Sequence, residues 1–234
     1  MTRAQCKGDR RAEEAGHDAA QPASPDHSMV QRISRRTRIL EESLAAAAAG
    51  YEEVNIRDVA QRAGVAVGTI YRYFPSKEHL FVSALGRWLE DFEQHVGPRF
   101  YAIDDPYERL WHVLEGLHRA FSCRPLLAKA MARACTVADP SLALEVETVR
   151  SQLVDLFADA VSRGAPTGSQ IDVAGLVADV LASNLFALAY DRSPIGDIRR
   201  RLRLMIELLA KRHGEAIGSP DWHGTRSVGE QSQR

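Results

Sequence analysis

Apolar residues recur at spacings of three and four along most of the chain between about residues 31 and 214, the spacing of an α-helical face. No segment shows a convincing alternation of apolar and polar residues, which would be typical of a strand. The pattern therefore predicts an all-α protein. A first helix should carry Ile39 and end at Gly50, and later helices are expected at about 56–63, 67–74, 76–96, 105–121, 125–137, 139–164, 169–190 and 195–211.

The two ends of the chain lack this pattern. Residues 1–30 are rich in small, polar and charged residues and have almost no large apolar ones. Residues 215–234 are polar and glycine-rich, with Trp222 as their one large side chain. Such segments bury too little apolar surface to offset the entropy of folding, so both are predicted to be disordered tails.

Residues 55–80 predict two short helices joined by a tight turn and followed by a longer helix. Asn55 suits the N-cap of the first helix. Gly64 supplies the permissive backbone that a sharp reversal needs. The residue before a proline disfavours helix, so Pro75 predicts that the second helix ends at Phe74.

The second short helix has an apolar side and a polar side. Val67, Ile70 and Phe74 share one face. Thr69 and Arg72 point away from it, beside a glycine and two tyrosines. Hydroxyl groups can bond phosphates or base edges, and an arginine can bond a guanine with two hydrogen bonds. This chemistry favours a recognition helix for the DNA major groove over a buried helical hairpin with ordinary core tyrosines.

Cationic residues flank the helix pair. Ser76 predicts the N-cap of the longer helix, which places Lys77 at a helix N-terminus, where a phosphate is favoured. The four arginines at 32–38 are either a solvated helix start or an arm that holds phosphates, and the neighbouring helix pair favours the arm. The predicted DNA-contacting residues are Arg36, Arg57, Val67, Gly68, Thr69, Tyr71, Arg72, Tyr73 and Lys77.

At these residues the chain resembles the TetR family of bacterial transcriptional regulators. The matching segment is about Arg36 to Gly86, and GYEEVNIRDVAQRAGVAVGTIYRYFPSKEHLF follows the family pattern nearly throughout. A narrower resemblance covers most of residues 36–210 and is to actinobacterial repressors of cholesterol-catabolism genes. It is carried by VAVGTIYRYFPSKEHLFVSALGR, RPLLAKAMARACTVADPS and SNLFALA.

The resemblance implies an N-terminal three-helix helix-turn-helix DNA-binding domain at 31–80 and a C-terminal helical ligand-binding and dimerisation domain at 81–214. The implied assembly is a homodimer on a palindromic double-stranded DNA operator, joined through the last two long helices. The implied effector is a hydrophobic small molecule, with a sterol-derived coenzyme A thioester as the leading candidate. Small residues on the 169–190 helix would suit close packing across the two-fold axis: Ala174, Gly175, Ala178, Ala182 and Ser183.

Large apolar residues of the second domain are candidates to line the implied cavity, although core packing explains each one better by itself. Asn184 could bind a polar group of the ligand or make an interhelical bond. The arginines at 199–203 are either a solvated face or a site for coenzyme A phosphates. The candidate ligand-binding residues are Trp88, Phe92, Trp111, Leu114, Phe121, Met131, Phe157, Leu181, Asn184, Leu185 and Leu188.

Composition and charge fit a soluble globular protein. The chain has 234 residues, of which 45% are hydrophobic and 26% charged. Its net charge is −1, so attraction to DNA must come from local cationic patches. The three cysteines have no CxxC spacing, which fits a reducing compartment. No signal-peptide pattern and no apolar run of membrane-spanning length are present, so the prediction is a cytoplasmic protein without a membrane partner.

Catalytic patterns are weak. His112 and His118 are six residues apart and do not share a helix face, and the chain has no phosphate-binding glycine loop and no nucleophile elbow. The sequence therefore predicts no enzyme, no cofactor and no metal site. Two rivals stay open: a related regulator that responds to a fatty acyl-CoA or another hydrophobic small molecule, and a helical adaptor that does not bind DNA.

Overall fold

A computed structural model describes the backbone of residues 25–100, 102–136, 140–190, 192 and 194–218. These residues form helices and connecting turns, with no strand among them, which confirms the all-α prediction. Most of both predicted disordered tails lies outside the described residues. The helices are α1 (Pro25–Ala47), α2 (Ile56–Arg62), α3 (Val67–Tyr73), α4 (Lys77–Phe100), α5 (Pro106–Cys123), α6 (Pro125–Thr136), α7 (Ala143–Ser162), α8 (Gly168–Ala189) and α9 (Ile195–Gly218), with a 3-10 turn at Pro140–Leu142 before α7.

The first three helices form a small head. Ile39 of α1, Val59 of α2 and Ile70 of α3 are almost completely buried against one another. Phe74, directly after α3, is buried with them. Because each short helix exposes one apolar face to the others, none could be stable alone, and packing rather than helix propensity holds the head together.

Helix α4 joins the head to the larger domain formed by α5–α9. It packs on α1 of the head and contacts α5, α6 and α7 of the larger domain. Leu80 and Phe81 of α4 are fully buried and belong to the same continuous core as Leu114 and Phe157 in the larger domain. A displacement of α4 would therefore change the packing of both the head and the larger domain.

A buried arginine fastens α5 to α7. Arg109 is 3% exposed, and its guanidinium donates hydrogen bonds to the carbonyl oxygens of Ala160 at 2.6 Å and Val161 at 3.0 Å, at the C-terminal end of α7. It also donates to the carbonyl oxygens of Ile103 and Asp104 before α5. Four acceptors satisfy a charge that would be costly to bury without partners.

Three helix ends differ from the sequence prediction. Helix α1 begins at Pro25, so the last six residues of the predicted N-terminal tail are helical, with proline at a first helical position that lacks a bonding partner in any case. Helix α4 continues through the predicted stop at residues 97–98 to Phe100. Pro98 lies in the last turn, where its missing N–H costs a single hydrogen bond. Helix α9 extends to Gly218, beyond the predicted end of the domain.

The end of α7 was predicted at Gly164, but the residue in the left-handed conformation is Arg163, with φ of 57°. A left-handed non-glycine residue costs about 1–2 kcal/mol. The Arg163 side chain reaches the loop before α5, where it donates to the Ile103 carbonyl oxygen and to Asp104 Oδ1 at 3.2 Å. These hydrogen bonds to residues 103–104 offset the cost of the left-handed conformation at Arg163. The local sequence would instead favour that conformation at Gly164.

Helix α8 corrects the prediction that no apolar run is long enough to cross a membrane. The segment Gly168–Leu188 is long enough and apolar enough to cross a membrane, judged by length and composition alone. The core helix of a soluble protein can have the same length and composition. One side of α8, including Ala174, Val177 and Leu181, is buried against the neighbouring helices. Its other side exposes Ile171, Leu176, Phe186 and Tyr190, and a second apolar face of this kind suits a protein partner.

Candidate nucleic-acid interface and internal cavity

The α2–α3 pair has the predicted helix-turn-helix geometry. Asn55 is the N-cap of α2, and its Oδ1 accepts a hydrogen bond from the Arg57 backbone N–H at 2.9 Å. Gly64 has φ of +63°, a conformation that side chains rarely adopt, so the turn between the helices depends on this glycine. Ile70 and Phe74 then anchor α3 from its inner side.

The outer face of α3 is open to solvent. Tyr71 is 48% exposed, Arg72 is exposed, and nothing lies within 4 Å of the position that a Gly68 side chain would occupy. A DNA backbone or base edge can therefore approach this part of the helix closely. Val67 and Tyr73, also predicted to contact DNA, are half-buried and pack partly against the core.

Arginines from α1 meet the recognition helix. Arg32 and Arg35 line a cleft of about 440 Å³ together with Arg72 and Tyr73 of α3. The Arg72 guanidinium lies 5.8 Å from the Tyr73 ring centroid. Three guanidinium groups around one cleft create a local positive potential that favours a polyanion despite the slightly negative chain. That the arginines at 32–38 form an arm that holds phosphates stays a prediction.

Three other predicted DNA-contacting residues lie on the first three helices. Arg36 is exposed, with its guanidinium 5.4 Å from the Phe74 ring centroid. Arg57 is exposed on α2, and Thr69 is half-buried on α3. Their contacts with DNA stay predictions, because the structure holds no nucleic acid.

Lys77 stands in the first turn of α4, as predicted. The Ser76 hydroxyl accepts a hydrogen bond from the His79 backbone N–H at 3.3 Å and so caps the helix. The Lys77 ammonium lies 4.4 Å from the Tyr51 ring centroid, which holds it by a cation–π contact. Its position beside the head combines its own charge with the positive end of a helix dipole.

The larger domain contains an apolar cavity of about 420 Å³. Five helices contribute to its wall. The described lining residues are Leu85 of α4, Phe121 of α5, Ala128, Met131, Ala132, Cys135 and Thr136 of α6, Val146, Val149, Arg150 and Leu153 of α7, and Ala178, Ala182, Ser183, Leu185 and Phe186 of α8. A volume of this size lies within the range of small-molecule sites.

Few polar groups face the cavity from these residues. Burial raises the pKa of the Cys135 thiol to about 11, so it stays neutral at physiological pH and behaves as an apolar group. Arg150 stands at the rim, where its Nε donates to Asp179 Oδ1 at 2.9 Å. The wall is therefore suited to a large apolar group, with polar contacts left to Thr136, Ser183 and Arg150.

The structure brings three of the eleven predicted ligand-binding residues to this cavity: Phe121, Met131 and Leu185. The other apolar candidates lie elsewhere. Leu114, Phe157, Leu181 and Leu188 are buried in the surrounding core, and Trp88 and Phe92 form a stack of rings on Phe121 behind the wall.

Trp111 and the arginines at 199–203 hold α9 on α5. The guanidinium carbons of Arg199 and Arg203 lie 5.4 and 5.0 Å from the Trp111 ring centroid. Arg199 also pairs with Glu115 at 2.8 Å, and Arg203 pairs with Glu108 at 3.3 Å. These arginines are engaged within the fold, which favours a structural role over a phosphate site.

Asn184 makes the interhelical bond that was the alternative to ligand contact. Its Nδ2 donates to the Val180 carbonyl oxygen at 2.8 Å, and its Oδ1 accepts from Arg201 Nη1 at 3.4 Å. The side chain is 6% exposed. The first bond lies within α8, and the second joins α8 to α9, so both ends of the amide have a partner.

The cavity residues that sequence reasoning missed include small ones. Ala128 and Ala132 on α6 and Ala178 and Ala182 on α8 are each spaced by four, and all four line the cavity. Small side chains on two packed helices leave room between them. The α8 alanines were predicted only to pack across the dimer axis. The signal that could have revealed the cavity is the second pair of alanines at the same spacing on α6.

An all-helical chain with a helix-turn-helix head, a convergent arginine cleft and a larger helical domain defines the class of helix-turn-helix DNA-binding proteins. Two family profiles match it: "Bacterial regulatory proteins, tetR family" over residues 39–84, and "Tetracyclin repressor-like, C-terminal domain" over residues 104–209. The chain belongs to the TetR family of bacterial transcriptional regulators.

Curated relatives are similar over most of their length. The chain is 47% identical to the HTH-type transcriptional repressor KstR of Mycolicibacterium smegmatis over 183 residues, which cover 78% of this chain and 89% of the relative. It is 44% identical to KstR of Mycobacterium tuberculosis, covering 78% and 83% respectively. The chain is therefore a DNA-binding transcriptional repressor and not an enzyme, and the adaptor alternative is rejected.

Solved structures share the fold. A TetR transcriptional regulator from Rhodococcus sp. RHA1 superposes with a TM-score of 0.68 at 27% identity, over 76% of this chain and 97% of that one. The FadR repressor of Thermus thermophilus, solved in complex with lauroyl-CoA, gives a TM-score of 0.60 at 19% identity, over 83% and 100%. Regulators of this family bind DNA and dimerise.

Proposed function

We propose that this protein represses genes of sterol or lipid catabolism in the cytoplasm and leaves its operator when a sterol-derived acyl-CoA occupies the cavity between α4 and α8. The apolar cavity of about 420 Å³ carries this proposal, because it suits a large rigid apolar group and offers few polar partners. The similarity to the KstR repressors supports the choice of a sterol over a straight chain.

The DNA-binding part of the proposal assigns separate roles to two side chains of the head. Arg72 reads a base edge in the major groove from the open face of α3, and Lys77 holds a phosphate at the start of α4. Arg32 and Arg35 bind neighbouring phosphates through the cleft that they share with Arg72.

Helix α4 connects the two sites. It contributes Leu85 to the cavity wall and Lys77 to the head. A ligand that displaces α4 changes the spacing of the two heads in the dimer, so that they no longer match successive major grooves. The ligand shifts the equilibrium only by its difference in affinity for the two arrangements.

The required difference is within reach of apolar burial. A shift from almost complete binding to almost complete release needs about 5.5 kcal/mol. At about 25 cal/mol per Å², this corresponds to about 220 Å² of additional apolar surface buried in the released form. A fused ring system in a cavity with apolar walls can supply an area of that order.

The test is a titration of the full-length protein bound to a fluorescent palindromic duplex that the protein itself has selected from a random pool. The added compounds are the CoA thioester of a sterol side-chain acid, stearoyl-CoA, lauroyl-CoA and free coenzyme A. We expect the sterol thioester to raise the operator Kd at least about tenfold and free coenzyme A to have no effect, because only the acyl part fits the apolar cavity.

The alternatives give different results in the same titration. Release by the straight-chain thioesters alone would reject the sterol assignment and keep the acyl-CoA class. Release by none of the thioesters would reject an acyl-CoA effector altogether. A separate series without added compound, at several salt concentrations, measures the salt slope, which reports the number of phosphate contacts.

A further inference from the structure

Five side chains from three parts of the fold form one network between the head and the cavity. Tyr51 and Glu52 belong to the loop between α1 and α2, Lys77 and Glu78 to the first turn of α4, and Arg133 to α6. We refer to these five residues as the Tyr51 network. They include two cations, two carboxylates and an aromatic ring.

The Tyr51 ring is the centre of the network. The Lys77 ammonium lies 4.4 Å and the Arg133 guanidinium carbon 5.6 Å from its centroid, so two cations contact one ring. The ring packs on Phe81, with centroids 5.4 Å apart. Its hydroxyl donates a hydrogen bond to Glu78 Oε1. Tyr51 is therefore held from several directions and offers Lys77 a fixed platform.

Protonation keeps this hydrogen bond in place. Burial, together with the bond to Glu78, raises the pKa of the Tyr51 hydroxyl far above its usual range, so the hydroxyl remains a donor at physiological pH. The same hydrogen bond lowers the pKa of Glu78, which remains an anionic acceptor. Neither group changes charge near neutrality, and the network does not act as a pH switch.

Arg133 links this network to α6. Its Nη2 pairs with Glu52 Oε1 at 2.9 Å, which fastens the α1–α2 loop to the helix. The residues around it on α6, Met131, Ala132 and Cys135, line the cavity. Because a helix moves as a rigid rod over one or two turns, a ligand that shifts this wall also shifts Arg133.

We propose that Arg133 is a positioning residue: through Glu52 and the Tyr51 ring it sets where Lys77 stands for an operator phosphate, and it transmits the movement of α6 to that contact. This is a route to the DNA that is distinct from the displacement of α4 itself. Its dependence on an effector rests on the proposed acyl-CoA, whereas the positioning role rests only on the proposed phosphate contact of Lys77.

The first experiment uses no effector. Operator Kd and its salt dependence are measured for the full-length wild type, Arg133→Gln, Lys77→Gln and the double variant. We expect Arg133→Gln to weaken operator binding about fivefold, the size of one exposed ion pair with a cation–π contact. In the Lys77→Gln background, Arg133→Gln should raise the operator Kd less than about twofold, because the ammonium that Arg133 positions is absent.

Controls separate positioning from general effects of charge and stability. Arg119→Gln removes the same charge from an exposed position of α5 and should leave operator Kd unchanged. The Arg133 side chain is 53% exposed, so its replacement should not alter the thermal midpoint appreciably. Arg133→Gln should also lower the salt slope as Lys77→Gln does. Equal losses from Arg133→Gln in both Lys77 backgrounds would overturn the positioning role.

The second experiment adds the CoA thioester of a sterol side-chain acid and, in parallel, stearoyl-CoA. For each, the ratio of operator Kd with and without thioester is compared between wild type and Arg133→Gln. We expect the variant to bind the thioester within about twofold of wild type but to show a ratio at least about threefold smaller, because coupling and binding are separate quantities.

An unchanged ratio with normal thioester binding would overturn transmission through Arg133. If neither thioester binds the wild type, the acyl-CoA proposal fails, while the first experiment still decides whether Arg133 positions Lys77.

Discussion

The recognition helix and the cavity are built from sequence in different ways. Helix α3 is seven residues long, and its inner and outer faces are both contained in VGTIYRY. The cavity takes its wall from five helices, with lining residues spread from Leu85 to Phe186. A function carried by one short segment can be predicted from local chemistry, whereas a function carried by the space between segments depends on how they pack.

The two sites also differ in what a single side chain can do. On α3, the side chains of Arg72 and Tyr71 are exposed to solvent and open to a ligand. In the cavity wall, Phe121 has a core neighbour behind it, the Trp88 ring, stacked 5.1 Å away. A substitution on α3 therefore tests recognition almost alone, whereas a substitution in the cavity also tests stability.

The largest expected effect comes from separating the two heads. One α3 offers too few contacts for tight specific binding, so the operator affinity requires a dimer. Leu208 on α9 is 58% exposed, in line with Leu204 at 56%. We expect Leu208→Arg to give a monomer in sedimentation and to weaken operator binding about a hundredfold or more.

Arg119→Glu on α5 is the control and should remain dimeric, because Arg119 is exposed and lies outside α9. Wild type that sediments as a monomer at micromolar concentration would contradict the dimer. So would a monomeric variant that keeps full operator affinity.

The next largest effect tests which predicted ligand residues line the cavity. Leu114 is fully buried and lies away from the wall, whereas Phe121 is 8% exposed and lies on it. Leu114→Ala should lower the free energy of unfolding by about 2–5 kcal/mol and leave thioester affinity within about twofold. Phe121→Ala should weaken thioester binding by about tenfold or more in folded protein, since the apolar contact is lost.

Denaturant unfolding and thioester titration of both variants, at temperatures where each is folded, give the two readouts. A thioester affinity that falls as much in Leu114→Ala as in Phe121→Ala would show that the cavity wall is larger than the described one. Equal affinity in both variants and the wild type would place the ligand elsewhere.

Sequence predicted the fold class and the head because their signals are local. The Asn55 cap and the Gly64 turn are confirmed, since each is set by neighbours within a few residues. The burial of Ile70 is confirmed as well, because the apolar face of α3 can be identified from the spacing within that helix. The end of α7 at Arg163 was missed because its stabilising contacts come from residues 103–104, about sixty positions earlier.

The cavity was predicted only in outline because large apolar residues were taken as its markers. Large side chains fill space, and Leu114 and Phe157 are packed in the core. The Trp111 ring contacts an arginine of α9 instead of the cavity. The space itself is left by small residues such as Ala128 and Ala178 on facing helices. Which helices face each other depends on tertiary packing, and the periodicity along a single helix does not predict it.

A smaller effect is expected from the base-reading residue. Arg72→Ala should cost about 1–3 kcal/mol of operator binding and relax the preference at one operator position, because a bidentate contact to a guanine is lost. Competition between operator variants, each with one base pair changed, measures both quantities. Arg119→Ala on α5 should change neither. Unchanged affinity and unchanged preference for Arg72→Ala would remove α3 from base recognition.

The smallest effect is expected at Lys77, where the contact is to a phosphate and carries no sequence information. Lys77→Ala should weaken binding to all duplexes alike, by about threefold to tenfold, and lower the salt slope by about one for each half-site. Measuring Kd for the operator and for an unrelated duplex between about 50 and 200 mM salt gives both values. The comparison with Arg72→Ala is then direct, since Arg72→Ala changes the base preference, whereas Lys77→Ala lowers affinity and salt slope and leaves the base preference unchanged. A Lys77→Ala protein with an altered base preference and the wild-type slope would reverse the two assignments, and with them the role proposed for Arg133.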